Sequence, residues 1–226
     1  IYGVSYGTSL VLEYAKLATT NIDGIILDSL TPAQSDHLNG LSYRSQTTDR
    51  VGTALLDRCA ADSRCSLGSD AAGTYRVLLK DLDAGSDIPG VDRVPNGDLR
   101  QFLGLLLDVP SARNRIPDII SALSKRDPAA RSLIQNAIAD VEAHWGEIIQ
   151  FQQGTSSIPL SAIISGSEFN SRPDLTVEML ASEKAALGFT SPLPGLLVNN
   201  QFPLYETPPA LPLPASMPSM LVVQGT

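Results

Sequence analysis

The sequence predicts an α/β protein with a large helical insertion, and three observations support this fold class. A glycine-rich turn at residues 3–7 is followed by a helical pattern and then by a short apolar run, the order of turn, helix and strand that is typical of α/β folds. From residue 31 to about residue 190 the strand signal nearly vanishes and helical periodicity takes over. A second apolar run at 220–223, rich in β-branched residues, predicts a strand near the end.

The helix after the glycine-rich turn is predicted from apolar residues that recur three and four positions apart. We expect these residues to form one buried face over about three turns: Leu10, Tyr14, Leu17 and Ala18. The next element is the run Ile25-Ile26-Leu27, which is bounded by Asp23 and Asp28. Because this run is short and apolar throughout, it predicts a buried parallel strand rather than a helix.

The helical insertion is predicted from four amphipathic patterns, at residues 78–82, 99–107, 116–123 and 133–149. The second pattern begins after Asn96 and Asp98, which are typical N-cap residues, and it ends before Pro110. Half of the 16 prolines lie in residues 192–218, so this stretch is expected to run extended across a surface. We therefore predict an α/β part at 1–32, a mainly helical cap with a proline-rich return segment at 33–215, and a core strand at 216–226.

Composition and charge limit the kinds of function that the sequence supports. The 226 residues carry 16 Lys and Arg against 24 Asp and Glu, a net charge of −8, which argues against nucleic acid as a partner because phosphate binding needs clustered cations. Hydrophobic residues make up 43% and charged residues 18%, as in a globular domain. No apolar run approaches the roughly 18 residues that a membrane-spanning helix needs. Because both ends cut through predicted structure, we expect an internal fragment of a longer protein.

The glycine-rich turn has the pattern G-x-S-x-G, formed by Gly3, Ser5 and Gly7. This pattern is typical of a nucleophile elbow, in which a strand turns sharply into a helix and exposes a serine hydroxyl in a strained backbone conformation. Ser5 is the candidate nucleophile, and the backbone N–H of Tyr6 is the candidate donor to an oxyanion. We expect both glycines to lack room for a Cβ between the strand and the helix.

Cys59 and Cys65 are the only cysteines. Six residues of continuous helix rise roughly 9 Å, which exceeds the roughly 7 Å limit between the Cα atoms of a disulfide. A disulfide therefore requires the helix to break at residues 61–63, and it would indicate an oxidising compartment. Two buried thiols are the alternative. No metal site is expected, because no second pair of ligands lies at a usable spacing.

Four segments of the chain share a resemblance to known proteins. These are residues 2–8 (YGVSYGT), 25–29 (IILDS), 59–65 (CAADSRC) and 218–226 (PSMLVVQGT). Together they resemble the tripeptidyl-aminopeptidase and prolyl-aminopeptidase-like serine peptidases of the α/β-hydrolase fold. The resemblance spans nearly the whole chain, and it is strongest at the two ends and at the cysteine pair.

The resemblance implies a secreted exopeptidase with a helical cap over the active site, acting on peptide substrates with a free N-terminus. It implies no metal or organic cofactor. It also implies that the first core strands, the second oxyanion donor, and the acid and histidine of a Ser-His-Asp triad lie outside residues 1–226. We therefore expect the isolated 226 residues to be inactive and poorly soluble, because their sheet would have unpaired edges.

Three further residues are candidates for the catalytic set. His37 and His144 are the only histidines, and both are expected to be structural or surface residues. Asp28 ends the strand after the elbow helix, at the sheet edge where catalytic groups converge. Some hydrolases take their triad acid from that strand, whereas the resemblance favours a later acid. A turn or cap hydrogen bond is the alternative role for Asp28.

Glu168 is the candidate for substrate binding. An exopeptidase that acts at an amino terminus needs a carboxylate near its nucleophile, because a buried ammonium is tolerable only when it is paired. In the resembled family a glutamate near the return of the cap to the core has this role, and an ordinary solvated carboxylate is the alternative. The predicted function is a serine exopeptidase. The alternatives are a carboxylic-ester hydrolase on the same scaffold and a non-catalytic binding protein.

Overall fold

The computed structural model describes residues 1–17, 21–31, 40–150, 157–203 and 218–223. Most of these residues are helical, and the strands are few and short. The strands are β1 (Tyr2–Val4), β2 (Gly24–Asp28) and β3 (Ser219–Val223), and helix α1 (Tyr6–Leu17) connects the first two. All pairings are parallel in the order β1-β2-β3. The carboxyl ends of the three strands therefore meet at one edge of the sheet.

Helix α1 covers one face of the sheet through its smaller side chains. Ala15 packs with Ile25 and Leu27 of β2, and Val11 and Leu12 contact this cluster. The face predicted from the sequence is wrong. Three of its members are about half exposed or more, namely Leu10 at 56%, Tyr14 at 51% and Leu17 at 74%, and Ala18 lies outside the described residues.

The remaining α-helices of the described residues lie between residues 44 and 186. They are α2 (Arg44–Ala61), α3 (Ala71–Asp83), α4 (Leu99–Leu106), α5 (Pro110–Arg113), α6 (Ile116–Ser124), α7 (Ala130–Gln150), α8 (Ile158–Ser167) and α9 (Val177–Ala186). Side chains of Asp70, Asp98, Ser157 and Thr176 accept hydrogen bonds from first-turn amides, which is why α3, α4, α8 and α9 begin where they do. The main core lies among α2, α3, α4, α6 and α7.

The segment after α9 is fixed to this helical core. Phe189 is 1% exposed, and the amides of Gly188 and Phe189 both donate to Asp49. The Arg100 guanidinium donates to the Leu187 carbonyl and forms a bidentate ion pair with Asp83, an arrangement that lowers the pKa of Asp83. Burial is the main cause that raises the pKa of Tyr75, whose hydroxyl donates to the Gly188 carbonyl.

The predicted fold class is wrong for the described residues taken together. They form a mostly helical structure with one small parallel sheet, and a complete α/β-hydrolase core is not evident. The strands span only three, five and five residues. All five residues of β3 are exposed, although a core strand was expected there. Residues 204–217 of the proline-rich return segment lie outside the described residues, and in its described part Leu193–Leu197 form a short 3-10 helix rather than the extended run that was expected.

The predicted disulfide is present between Cys59 and Cys65, whose Cα atoms are 5.4 Å apart. Helix α2 ends at Ala61, and the extended backbone of Asp62 turns the chain back toward Cys59. The side chain of Arg64 donates hydrogen bonds to the Asp62 carboxylate and is the main cause that lowers the pKa of Asp62 to about 2. The bridge is compatible with an extracytoplasmic location.

Removal of this disulfide is expected to lower the free energy of unfolding by about 2 kcal/mol, because the closed loop is short and the bridge restricts the unfolded chain. Urea unfolding of the double variant Cys59→Ala/Cys65→Ala, compared with the oxidised protein, measures the loss. A reductant should lower the stability of the natural chain to the level of the variant and leave the variant unchanged. Equal stability of the oxidised and double-variant proteins would contradict this expectation.

Candidate active site around Ser5

Ser5 occupies the turn between β1 and α1 with a left-handed backbone, at φ 51°, and its side chain is exposed. Non-glycine residues adopt this conformation rarely, and holding one there costs about 1 to 3 kcal/mol. The surrounding hydrogen bonds fix it. The Ser5 amide donates to the Asp28 carbonyl at 2.9 Å, and the Ser5 carbonyl accepts from the Thr8 amide at 2.9 Å. The turn therefore presents a serine hydroxyl at the carboxyl edge of the sheet.

Thr8 locks this turn from inside α1. Its side chain is fully buried, and its hydroxyl donates to the Ser5 carbonyl at 2.6 Å. The same hydroxyl accepts from the Thr31 amide at 2.9 Å, so the chain after β2 is fixed to the same point. This role was not predicted from the sequence, although a hydroxyl residue three positions after the serine of a G-x-S-x-G turn is a visible signal.

The ends of β2 and β3 complete the edge beside Ser5. Ser29 also has a left-handed backbone, at φ 59°, and its amide donates to the Val223 carbonyl at 2.8 Å. The Asp28 carboxylate accepts from the Tyr2 hydroxyl at 2.9 Å and from the Ser29 hydroxyl at 3.2 Å. The first of these bonds is the main cause that raises the pKa of Tyr2. Asp28 therefore lies at the predicted edge, and its carboxylate accepts one hydrogen bond from the turn residue Ser29 and one from Tyr2 on the neighbouring strand.

The two glycines of the turn differ in the space around them. A Cβ on Gly3 would lie 2.8 Å from the Gly7 carbonyl oxygen and 2.9 Å from Cγ2 of Val11, so strand and helix touch there. Apart from its chain neighbours and the backbone of its own helix, a Cβ on Gly7 would meet no atom of the described residues within 4 Å. The steric reason predicted for Gly7 is therefore wrong, because Gly7 belongs to α1 and the strand lies on the side of Gly3.

The side chain of Tyr6 connects the turn to Glu168. The Tyr6 hydroxyl donates to the Glu168 carboxylate and lies 3.0 Å from each of its oxygens. The Tyr6 ring also meets Phe169 edge-on, with ring centroids 5.9 Å apart and planes at 81°. Two residues 162 positions apart in the chain are thus brought together, and one of them directly follows Ser5. Tyr6 is also the first residue of α1, so its N–H belongs to the helix-initial amides that favour negative charge.

Glu168 caps the C-terminus of α8, and the segment that follows it is tied to the short 3-10 helix Leu41–Tyr43, just before α2. The Leu41 amide donates to the Phe169 carbonyl at 2.8 Å, and the Ser171 amide donates to the Ser42 hydroxyl at 3.0 Å. Arg172, which is 7% exposed, pairs with Glu183 at 2.5 Å. The backbone that carries Glu168 is therefore held by the helical part of the molecule.

The Glu168 carboxylate has a neutral hydrogen-bond partner, the Tyr6 hydroxyl, and lies at the C-terminus of α8. None of the ion pairs within residues 1–17, 21–31, 40–150, 157–203 and 218–223 involves Glu168. The C-terminus of α8 adds the negative end of a helix dipole at the same place. A half-buried carboxylate in this setting is suited to bind a cation.

The histidines do not join Ser5 in the described part of the chain. His144 lies in α7, where its ring meets Trp145 edge-on at 5.9 Å. His37 lies outside the described residues. In the same part of the chain, no three His, Cys, Asp or Glu side chains are grouped closely enough to hold a metal ion. The helices described there also include none that could cross a membrane.

Comparisons with known proteins add no further assignment. No protein-family model matches the chain, and comparison with the curated proteins gave no match. The resemblance to serine aminopeptidases therefore stays a prediction from the four quoted segments. The structural feature that bears on function is the hydrogen bond between Glu168 and Tyr6, the residue that follows Ser5.

Proposed function

We propose that the chain belongs to a serine hydrolase that cleaves peptides near their free amino terminus, with Ser5 as the nucleophile and Glu168 as the site of the substrate ammonium. One observation carries this proposal: the Tyr6 hydroxyl bonds both oxygens of Glu168 while Tyr6 directly follows Ser5. A neutral ester has no group that needs this carboxylate. A peptide with a free amino terminus does need it, since its ammonium must be paired with a negative charge when it leaves water.

The proposed chemistry is acyl transfer. The Ser5 hydroxyl attacks the scissile carbonyl, a general base takes its proton, and the tetrahedral oxyanion is stabilised by the Tyr6 N–H and a second donor. The base then gives the proton to the leaving amine, and water hydrolyses the acyl-enzyme. The resemblance implies that the histidine base, its acid and the second donor come from beyond residues 1–226. The helical residues would exclude water and limit substrate length.

The location that fits this function is extracytoplasmic, and we propose secretion. The disulfide between Cys59 and Cys65 supports it, because such bridges persist in oxidising compartments. Peptides with free amino termini are the proposed substrates.

The test is covalent labelling of the full-length protein with a fluorophosphonate probe, which reacts with an activated serine. We expect one labelled site at Ser5 and complete loss of labelling in Ser5→Ala. Ser29→Ala is the matched control, because Ser29 lies at the same sheet edge with the same left-handed backbone, and we expect it to label normally.

Turnover assays then separate the reaction classes. We expect hydrolysis of short peptide amides with a free amino terminus and much slower turnover of simple acyl esters. Undiminished labelling of Ser5→Ala would show that Ser5 is not the nucleophile. Faster turnover of esters than of peptide amides would identify an ester hydrolase, and a protein with neither labelling nor turnover would be a non-catalytic binding protein.

A further inference from the structure

The position of the Glu168 carboxylate relative to Ser5 depends on the Tyr6 side chain. The backbone of Tyr6 is fixed by the turn that holds Ser5, and its ring is packed edge-on against Phe169. Its hydroxyl lies at equal distances of 3.0 Å from the two carboxylate oxygens of Glu168. The path from the nucleophile to the carboxylate is therefore one peptide bond, one tyrosine side chain and one shared hydrogen bond.

We propose that the Tyr6 hydroxyl is a positioning residue that holds Glu168 ready to receive the substrate ammonium at a set distance from Ser5. This role rests on the proposed function and adds a second task to Tyr6, whose backbone N–H is assigned there to the oxyanion. The hydroxyl acts on substrate binding through Glu168, while the N–H acts on the reaction itself.

A tyrosine suits this role because it orients a carboxylate without neutralising it. One O–H shared between two oxygens leaves further lone pairs on each oxygen for an incoming ammonium. The ion pair between Arg172 and Glu183 shows the contrast, since there a guanidinium cancels the carboxylate charge. A carboxylate held in advance also avoids the free-energy cost of ordering a long side chain when the substrate binds.

The same geometry relates the hydroxyl to substrate length. An extended peptide spans about 3.3 to 3.6 Å per residue. The ammonium can therefore reach Glu168 only when it belongs to one of the few residues that precede the scissile bond. Without the hydroxyl, Glu168 is free to take other rotamers, so both the affinity for the ammonium and the discrimination of length should weaken.

The test compares Tyr6→Phe with the natural full-length protein on one short peptide amide, offered with a free and with an acetylated amino terminus. We expect KM for the free peptide to rise about tenfold, the effect of losing a hydrogen bond to a charged group, with kcat changed less than about twofold. The acetylated peptide should show no change in KM. Tyr14→Phe is the matched control, because Tyr14 lies in the same helix and is 51% exposed.

A binding measurement makes the result independent of turnover. In a Ser5→Ala background, calorimetry should show tighter binding of the free than of the acetylated peptide, and Tyr6→Phe should reduce that preference about tenfold. In a Glu168→Gln background, Tyr6→Phe should not reduce the preference for the free peptide any further, because the carboxylate charge that the Tyr6 hydroxyl positions is absent.

The outcomes separate this inference from the proposed function. The positioning role would be overturned if Tyr6→Phe lowered kcat, or if it raised KM equally for the free and the acetylated peptide. Either result would show that the hydroxyl supports the fold or the reaction. If Ser5→Ala retains full turnover, the proposed nucleophile is wrong, and the calorimetric preference still decides the role of Tyr6. Absence of any preference for the free amine would overturn it.

Discussion

Gly3→Ala is expected to reduce the labelling rate of Ser5 about a hundredfold, the usual cost of misplacing a reacting group by about 1 Å. The added Cβ would lie 2.8 Å from the Gly7 carbonyl oxygen and 2.9 Å from Val11, so strand and helix must move apart. Ser5 lies at the junction of these two elements, and its hydroxyl moves with them. The rate of reaction with a fluorophosphonate probe measures the change.

Gly7→Ala is the matched control for this prediction. Because the added Cβ has no described atom within 4 Å beyond its chain neighbours and its own helix backbone, the turn should keep its geometry and its labelling rate. Replacing a helical glycine with alanine should also raise stability by about 0.5 to 1 kcal/mol. Labelling that is equally slow in both variants would show that the contact between β1 and α1 does not position Ser5.

Gly104→Ala is expected to lower the free energy of unfolding by about 3 kcal/mol, because overpacking a tight contact forces the backbone to shift. A Cβ on Gly104 would lie 2.1 Å from the Thr190 carbonyl oxygen. This contact joins α4 to the segment after α9, where the Thr190 amide donates to the Arg100 carbonyl. Urea unfolding followed by circular dichroism measures the loss.

Gly146→Ala in α7 is the matched control for helix propensity, since its Cβ would have no described atom within 4 Å beyond its chain neighbours and its own helix backbone. We expect it to raise stability by about 0.5 to 1 kcal/mol. Similar stability changes in the two variants would contradict the close contact between α4 and residue 190.

The turn around Ser5 could be predicted because its chemistry is local. G-x-S-x-G followed by a helical pattern and a short apolar run requires a strand, a turn and a helix in that order, and β1, α1 and β2 lie there. The break that lets Cys59 approach Cys65 is equally local, since six residues of unbroken helix are too long. The number of strands is a global property that no local pattern determines, so the fold class was wrong.

The buried face of α1 shows why periodicity alone is insufficient. The helix has two apolar stripes with helical spacing, one with Leu10, Tyr14 and Leu17 and the other with Val11 and Ala15. The sheet lies against the stripe of smaller side chains, because β1 approaches the helix closely at Gly3. Hydrophobicity alone predicted that the larger residues would be buried, whereas the close approach of β1 to the helix leaves room only for the smaller ones.

The contact between Tyr6 and Glu168 could not be predicted from a single sequence. It depends on how the segment after α8 returns to the sheet, which is fixed by hydrogen bonds to Leu41 and Ser42 at the start of the helical region. Neither the spacing nor the types of residues in the sequence indicate where the segment after α8 returns to the sheet. The candidate Glu168 was found through a family resemblance, and its partner was found only in three dimensions.

The turn closed by Cys59 and Cys65 also bears on how the molecule would withstand proteolysis. Arg64 lies inside that turn with 88% of its side chain exposed, at a place where a trypsin-like protease could cut. Such a cut would divide the polypeptide into two lengths, yet the sulfur bridge spans the nick and would keep them covalently joined until a reducing agent opened it.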